Sequence, residues 1–253
     1  MKKLRMLLLA SGLALTTSCA NQTYRVDVGA MFAKASGDIA LQNAGGSLVL
    51  HDNQNDLQDN MGLGDTEASP YVRLQMDQEK HRVRVHGFGL DAEGTGTLAG
   101  DFGGLLAGSQ VTTSMEFFGI GANYSYEILR DENYRVGVGV ALGFYSLDVA
   151  ARSSAGREAV ETDVLVPMPY GEAEVSLGPV LVGGNFGFMS AHIRDANGIF
   201  LDGEAYAKLP IEEFEVMLGY RYVTLDAYGE ATSRDFDADI VVQGFFLGGG
   251  IRF

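Results

Sequence analysis

The sequence feature that most constrains this chain is a two-residue alternation of apolar with small or polar side chains, which recurs along almost all of it. This is the period of a β-strand with two different faces, because successive side chains point to opposite sides. Most segments are long enough to cross a bilayer when tilted. Ten strands are predicted, at 24–37, 67–77, 80–97, 111–129, 135–152, 159–177, 180–193, 199–210, 213–228 and 238–253.

The first 20 residues have the three parts of a secretory signal. Basic Lys2, Lys3 and Arg5 precede an apolar stretch from Met6 to Leu15, and small residues follow. This apolar stretch is too short to span a bilayer core as a helix. We therefore expect residues 1–20 to be removed before the chain folds.

The cleavage site has two interpretations, and the sequence leaves both open. One is ordinary cleavage after Ala20; the other is a lipoprotein signal ending before Cys19, which would then carry lipid. Thr16 stands where a lipoprotein signal usually has Leu, Val or Ile. In either case residues 21–253 form the mature chain, which we expect to be a single domain.

Composition narrows the class of protein further. The formal net charge is −15, which disfavours nucleic acid as a partner. After the signal no apolar run approaches 18 residues, so no membrane-spanning helix is predicted. Gly (34) and Phe (14) are abundant, Pro is scarce (5), and the single Cys excludes an intrachain disulfide. A large antiparallel β protein fits these numbers.

The connections between predicted strands alternate in length along the chain. The short ones are near 78–80, 130–134, 178–179 and 211–212, and the longer polar ones are 38–66, 98–110, 153–158, 194–198 and 229–237. Short turns at one end and long loops at the other are typical of a transmembrane barrel with an even number of strands. We predict a closed antiparallel barrel of about ten strands, with eight as the alternative.

The two faces of the strands differ in a way that suits a membrane. Val138, Val140 and Leu142 share one face of the segment 135–152, and mostly small residues share the other. We interpret the apolar face as outward, toward lipid. In the segment 159–177 the apolar parity changes near Pro167 and Pro169, where we predict a β-bulge.

The last residues carry a resemblance to a known class. The chain ends on Phe253, with Ile251 on the same face and Gly248 five residues before the end. This resembles the C-terminal signal of bacterial outer-membrane β-barrels that the barrel assembly machinery reads. The chain as a whole is similar to the small barrels of the OmpA-barrel and OmpW-like superfamily. The resemblance implies a monomer in the bacterial outer membrane, in contact with its lipid and lipopolysaccharide, and it carries over no catalytic residues.

If the apolar face points outward, the lumen is heavily charged. The predicted network consists of Arg25, Asp27, Arg73, Arg82, Arg84, His86, Glu172, Glu174, Asp202, Glu204 and Arg221. Glu161, Asp163 and Lys208 are expected to join it. In a ten-stranded ring the basic and acidic sets face each other. They would form either a hydrogen-bonded plug or the walls of a small, porin-like pore, and the plug is favoured because small barrels have filled interiors.

Two weaker chemical hypotheses also follow. Asp52, Asp56 and Asp59 lie in an acidic loop segment that could hold a hard cation, although its spacing is not that of an EF-hand. Ser190 and His192 lie near the outer end of one strand and would suit a hydrolase, but no orienting carboxylate is evident.

We therefore expect a non-enzymatic outer-membrane barrel without cofactor, serving the envelope or allowing small-solute passage. The alternatives are a lipid or peptide hydrolase at the outer rim and a soluble periplasmic β-barrel binder with an apolar interior.

Overall fold

The computed structural model describes residues 22–46, 49–193, 196–231 and 234–253. The predicted signal sequence, with Cys19, lies outside these residues. Ten long strands and one very short strand account for most of the described chain: β1 Gln22–Leu41, β2 Asn55–Asp56, β3 Glu67–Gln78, β4 His81–Thr97, β5 Gln110–Arg130, β6 Tyr134–Ser153, β7 Gly156–Leu177, β8 Val180–Ile193, β9 Ala196–Ile211, β10 Phe214–Ala231 and β11 Arg234–Arg252. One 3-10 turn, Leu50–Asn53, precedes β2. Among the described residues, no helix is long and apolar enough to cross a bilayer.

The long strands form one closed antiparallel sheet. Each strand pairs with the next in sequence, except that β1 pairs with β3, and β11 returns to pair with β1 from Arg25↔Arg252 to Leu41↔Phe236. Short β2 pairs with β1 alone, at Asp38 and Ile39. The predicted fold, a closed barrel of ten transmembrane-length strands, is confirmed.

The two ends of the barrel differ in their connections. At the end that carries Gln22 and Phe253, called here the inner end, the turns at 79–80, 178–179 and 212–213 have two residues and the turn at 131–133 has three. At the opposite, outer end, 42–66 and 98–109 are long. The prediction of longer loops at 153–158, 194–198 and 229–237 was wrong, because strand pairing continues to Ser153↔Gly156, Ile193↔Ala196 and Ala231↔Arg234.

The bulge predicted at Pro167 and Pro169 was also wrong. The pairing of β7 with β6 runs without a shift from Tyr134↔Val175 to Ser153↔Gly156. The one register shift in the β5–β6 ladder lies between Glu127 and Leu129. The change of apolar parity in β7 therefore has another cause, which is a change in what surrounds the barrel.

The outside of the barrel changes character along its axis. In the inner half it is covered by exposed apolar side chains, a surface called here the lipid belt. Its members are Val28, Phe32, Val72, Leu74, Val83, Phe118, Ile120, Tyr124, Tyr126, Ile128, Leu129, Val138, Val140, Leu142, Leu165, Val175, Leu177, Val182, Phe186, Phe188, Ile199, Leu209, Ile211, Phe214, Val216, Leu218, Phe245, Leu247, Ile251 and Phe253. In the outer half the outward side chains are mostly polar, as at Asp91, Glu116 and Glu161, which are exposed.

The inside changes in the opposite sense. The lumen of the outer half is filled by an apolar core, to which nearly every strand contributes. The long loop 42–66 folds into this core, because Leu57, Met61 and Leu63 are fully or almost fully buried. The loop backbone approaches β4 closely at Gly62, where a Cβ on Gly94 would lie 2.0 Å from the Gly62 carbonyl oxygen. Only glycine permits that approach.

The wall has two places where neighbouring strands separate before they end. The β3–β4 ladder stops at Tyr71↔Phe88 and the β7–β8 ladder stops at Tyr170↔Gly187, although β4, β7 and β8 continue toward the outer end. We call these the first and second seams. Pro167 and Pro169 lie just beyond the end of the second ladder, so their missing N–H groups cost no bond to β8, while they stay paired with Leu142 and Val140 of β6.

Candidate functional site

The charged side chains of the inner half meet in the lumen. Seven basic and eight acidic luminal side chains form ion pairs there: Arg25, Arg73, Arg82, Arg84, Arg135, Lys208 and Arg221 with Asp27, Asp77, Glu127, Glu172, Glu174, Asp202, Glu204 and Glu215. The strands that carry them are those whose outward faces form the lipid belt. Alternation of the strand therefore places these charges inside.

The centre of the network joins Arg73 on β3 to Glu204 on β9, on the opposite side of the ring. The guanidinium of Arg73 contacts the Glu204 carboxylate and donates to the Tyr71 hydroxyl at 2.7 Å, and that hydroxyl donates to Glu204 at 2.8 Å. The Tyr206 ring lies 4.9 Å from the same guanidinium. Arg73 has no exposed surface, so its guanidinium is fully covered by these partners.

Arg221 on β10 forms the next layer toward the outer end. It donates to Asp202 at 2.7 Å and to Glu204 at 3.2 Å, and it lies 2.7 Å from the Nε2 atom of His86. The Tyr145 hydroxyl donates to Asp202 at 2.8 Å. His86 is therefore held by Arg221 and by Asp202, whose carboxylate lies 3.7 Å from the His86 Nε2 atom.

A second group lies nearer the inner end, between β4 and β7. Arg82 approaches Glu174 at 2.8 Å, and Arg84 approaches Glu172 at 3.2 Å and donates to the Tyr170 hydroxyl at 2.7 Å. These bonds again cross the ring, since β4 and β7 are not neighbours.

A third group is centred on Lys208. Its ammonium contacts Glu215 at 2.7 Å and Asp27 at 3.3 Å. Arg25 lies closer to the inner end, where its distance to Asp77 is 3.8 Å. The eleven network residues predicted from the sequence are thus all placed in or at the edge of the lumen, and all take part in ion pairs or hydrogen bonds.

The arrangement suits holding the strands together. Most buried polar atoms of the network have partners, and the unpartnered ones among the described residues are Arg25 Nε, Asp27 Oδ1, Thr113 Oγ1 and Arg221 Nε. Buried charges of this kind are tolerated only when paired and hydrogen-bonded. The carboxylates contact arginine, lysine or tyrosine partners, and such pairing is typical of a structural network.

Two residues predicted in the lumen are not there. Glu161 and Asp163 are exposed on the outer face of β7, because the apolar residues Val164, Val166 and Met168 turn inward in the outer half. The same strand turns Glu172 and Glu174 inward in the inner half. The strand keeps its register while the environment on its two sides is exchanged.

The network also contains charged residues that the predicted list lacks, namely Asp77, Glu127, Arg135 and Glu215, and it contains tyrosines. Tyr170 and Tyr206 bond to Arg84 and Glu174, and Tyr145 bonds to Asp202. The sequence did contain a signal for these tyrosines. Each lies an even number of residues from a charged luminal residue of its own strand, so both side chains point to the same face. Tyr is also common in strands for other reasons, so the residue type alone does not indicate this role.

The weaker candidates are placed as follows. The Asp56 carboxylate accepts backbone N–H groups of Gln58 and Asp59 and so caps a turn, while the Asp52 and Asp59 side chains are exposed. Within the described part of the chain, no group of three His, Cys, Asp or Glu could hold a metal ion. Ser190 is exposed, and the side chain of His192 is outside the described set, so the hydrolase pair stays a prediction.

The C-terminal residues lie at the inner end of β11. Gly248 pairs with Gly29, and Ile251 and Phe253 are exposed within the lipid belt. The ring of Phe253 stacks on that of Tyr24 at 5.9 Å. Their reading by an assembly machinery remains a prediction.

Comparisons with known proteins bear on the fold. No family model matches the chain, and no curated protein matches it. Among solved structures, the outer membrane protease OmpT of Escherichia coli superposes with a TM-score of 0.59 at 13% identity, over 94% of this chain and 99% of OmpT. Neisserial surface protein A has a TM-score of 0.37 at 12% identity, over 91% of this chain and 97% of its own. The attachment invasion locus protein Ail of Yersinia pestis also has 0.37 and 12%, over 92% and 99%. At such identities only the fold is carried over, and the chain has the fold of a bacterial outer-membrane β-barrel.

Proposed function

We propose that this chain is a closed, non-conducting outer-membrane barrel that acts in envelope structure or contact, without catalysis. The observation that carries the proposal is the filled lumen. Arg73, Arg84 and Arg221 reach into it and are at most 2% exposed, each bonded to a strand on another part of the ring.

A water-filled pore would have left these guanidinium groups hydrated. Their burial instead favours the plug over the porin-like alternative, because a buried arginine is stable only where carboxylates replace its water. The network is also nearly balanced in charge, with seven basic and eight acidic members, so its charges neutralise one another without counter-ions in the lumen.

The outer half supplies a second barrier in series. Apart from one apolar cavity, its lumen is packed with apolar side chains and with the inserted loop residues Leu57, Met61 and Leu63. An ion that passed the charged layer would meet an apolar layer, where burying a charge costs much free energy. The charged network of the inner half and the apolar core of the outer half together support a barrel that does not conduct.

The outside of the outer half is the part offered to partners. Its outward side chains are mainly polar and acidic, and they stand beyond the lipid belt on strands whose inward side chains form the apolar core. We propose that this rim meets lipopolysaccharide and the extracellular side, that the belt meets lipid, and that the barrel is a monomer inserted by the barrel assembly machinery. Light scattering of the detergent-solubilised protein tests the monomer.

Conductance in planar bilayers tests the closed state. The wild-type barrel, checked for folding by its gel mobility with and without boiling, should give no current steps. The double variant Arg73→Ala/Glu204→Ala should also stay silent, because the apolar layer remains. Stepwise conductance from the wild type would contradict the proposal, and conductance from the double variant alone would show that the charged layer is the only seal.

The non-enzymatic part is tested separately. OmpT, which superposes with a TM-score of 0.59, is a protease, so the folded protein should be assayed with a mixed peptide substrate and with phospholipid vesicles. We expect no turnover. Turnover that is lost in His192→Ala would establish the hydrolase alternative instead.

A further inference from the structure

The second seam opens the barrel wall next to an apolar cavity. Beyond Tyr170↔Gly187, β7 and β8 have no cross-strand pairs, although β7 continues over fourteen more residues, 156–169, toward the outer end. A cavity of about 250 Å³ lies in the outer lumen beside this part of β7. Its walls include Leu147, Val164, Phe200, Leu225, Phe236 and Ile240.

The two seams differ in what covers them. At the first seam, the loop backbone at Gly62 lies against β4, and Leu57, Met61 and Leu63 fill the space behind it. Behind the second seam, the described side chains leave the space of the cavity unfilled. A barrel that packs one seam with side chains and leaves space behind the other has a preformed site at the second.

The lipid belt continues to this site. Leu165 on β7 and Phe188 on β8 flank the seam and are 62% and 45% exposed, and Ile199 on β9 is 43% exposed. Val164 and Phe200, which are adjacent in sequence to Leu165 and Ile199, face the cavity. The apolar belt therefore reaches the level of the cavity on the strands that flank the seam.

The floor and the rim of the cavity limit what it can take. Tyr145 lies in its wall toward the inner end and is bonded to Asp202, so the charged network closes the cavity below. Asp163 and Glu230 lie at its margin and are exposed. Two carboxylates at the entrance disfavour a ligand with an anionic end, by like-charge repulsion.

We propose that this cavity binds one alkyl chain of a membrane lipid with an uncharged or zwitterionic headgroup, and that the chain enters sideways through the second seam. An apolar cavity of about 150 Å³ is enough to hold benzene, so 250 Å³ admits a stretch of alkyl chain. The site is independent of whether the lumen conducts, because it lies on the outer side of the charged layer.

The absence of Trp from the chain allows a direct test. Three single variants each introduce one indole: Phe200→Trp in the cavity, Phe186→Trp in the lipid belt, and Phe102→Trp in the apolar core near the inserted loop. Phe186 is 59% exposed and Phe102 is fully buried, so they set the upper and lower limits. Each folded variant is placed in phosphatidylcholine vesicles whose acyl chains carry bromine, which quenches indole on contact.

We expect the indole of Phe200→Trp to be quenched at least half as strongly as that of Phe186→Trp, and that of Phe102→Trp less than a tenth as strongly. Adding Ala238→Phe, which fills the cavity from β11, should reduce the Phe200→Trp quenching several-fold and leave Phe186→Trp unchanged. Equal, weak quenching of Phe200→Trp and Phe102→Trp would overturn the proposal. Quenching by brominated detergent in micelles without quenching in vesicles would overturn entry from the membrane.

A separate quenching experiment tests the headgroup preference. With brominated phosphatidylglycerol, whose headgroup is anionic, the ratio of Phe200→Trp to Phe186→Trp quenching should fall at least threefold, and Asp163→Lys should restore it. An unchanged ratio would overturn the assignment of the rim carboxylates.

Discussion

The inner and outer halves of this barrel are built from the same strands but have opposite chemistry. In the inner half the outside is apolar and the lumen is charged, while in the outer half the outside is polar and the lumen is apolar. Strand β7 shows both, with Glu172 and Glu174 inside near one end and Val164 and Val166 inside near the other. The comparison teaches that the surroundings determine which face is apolar, since lipid surrounds the first half and water the second.

The test with the largest expected effect removes a charge from the inner lumen. Arg221→Met takes a partner from Asp202 and from Glu204 and leaves both carboxylates buried. Removing one member of a buried pair costs about 3–5 kcal/mol, so the free energy of unfolding in vesicles should fall by that amount. Arg152→Met, an exposed position of the outer half, should change it by less than about 0.5 kcal/mol. A loss below about 1 kcal/mol in Arg221→Met would mean that the network does not stabilise the barrel.

A second test moves a charge to the outside. Val140 is 61% exposed in the lipid belt, and Arg at such a depth costs about 2–4 kcal/mol in a bilayer. Glu116 is exposed on the outside of the outer half, where water solvates any charge. Val140→Arg should therefore destabilise the barrel in vesicles, and Glu116→Arg should change its stability by less than about 0.5 kcal/mol. Equal effects at the two positions would remove the distinction between the halves.

The third test concerns the apolar core of the outer half. Leu57 is fully buried although it lies in a loop, and its replacement by Ala should cost about 2–3 kcal/mol. Because the ladders of the inner half do not involve this loop, we expect faster proteolysis within 42–66 while the folded gel mobility is kept. Leu106 is 68% exposed in the other long loop, and Leu106→Ala is the matched control, with no change expected. Proteolysis that is equally slow in both variants would show that the loop is not held by this core.

Much of the inner half could be predicted from the sequence. The strands, the short turns and the inward placement of Arg73, Glu204 and Arg221 follow from two-residue periodicity combined with an apolar outside. Which luminal groups bond could not be predicted, because the partner across the ring depends on the stagger of the closed sheet. The bond between Arg73 and Glu204 joins residues 131 positions apart.

The outer half was predicted less well, for a definite physical reason. Periodicity identifies which residues share a face, but not which face is inside once the outside medium changes from lipid to water. Glu161 and Asp163 were therefore placed in the lumen, and Pro167 and Pro169 were interpreted as a bulge when they mark the end of a strand ladder. Insertion of the loop at Leu57 and Met61 depends on close backbone contact, for which the nearest sequence signal was the pair Gly94 and Gly96.

The smallest test concerns a row of carboxylates on the outside, just past the outer edge of the lipid belt, where Asp226 pairs with the belt residue Ile199. Asp239 pairs directly with Asp38 on one side and Asp226 on the other. Partial burial, and then the charges of Asp226 and Asp38, raise the pKa of Asp239. An acid whose pKa is raised on folding destabilises the folded state above that pKa and has no effect below its unfolded value near 4. Asp239→Asn should therefore stabilise the barrel at pH 7 by about 0.2–0.5 kcal/mol, less in high salt, and the gain should vanish as the pH falls below about 4.

Asp59→Asn, at an exposed position in the loop, should give no such gain. A gain of the same size at both positions, or one that persists at low pH, would show that net charge and not this cross-strand row is responsible.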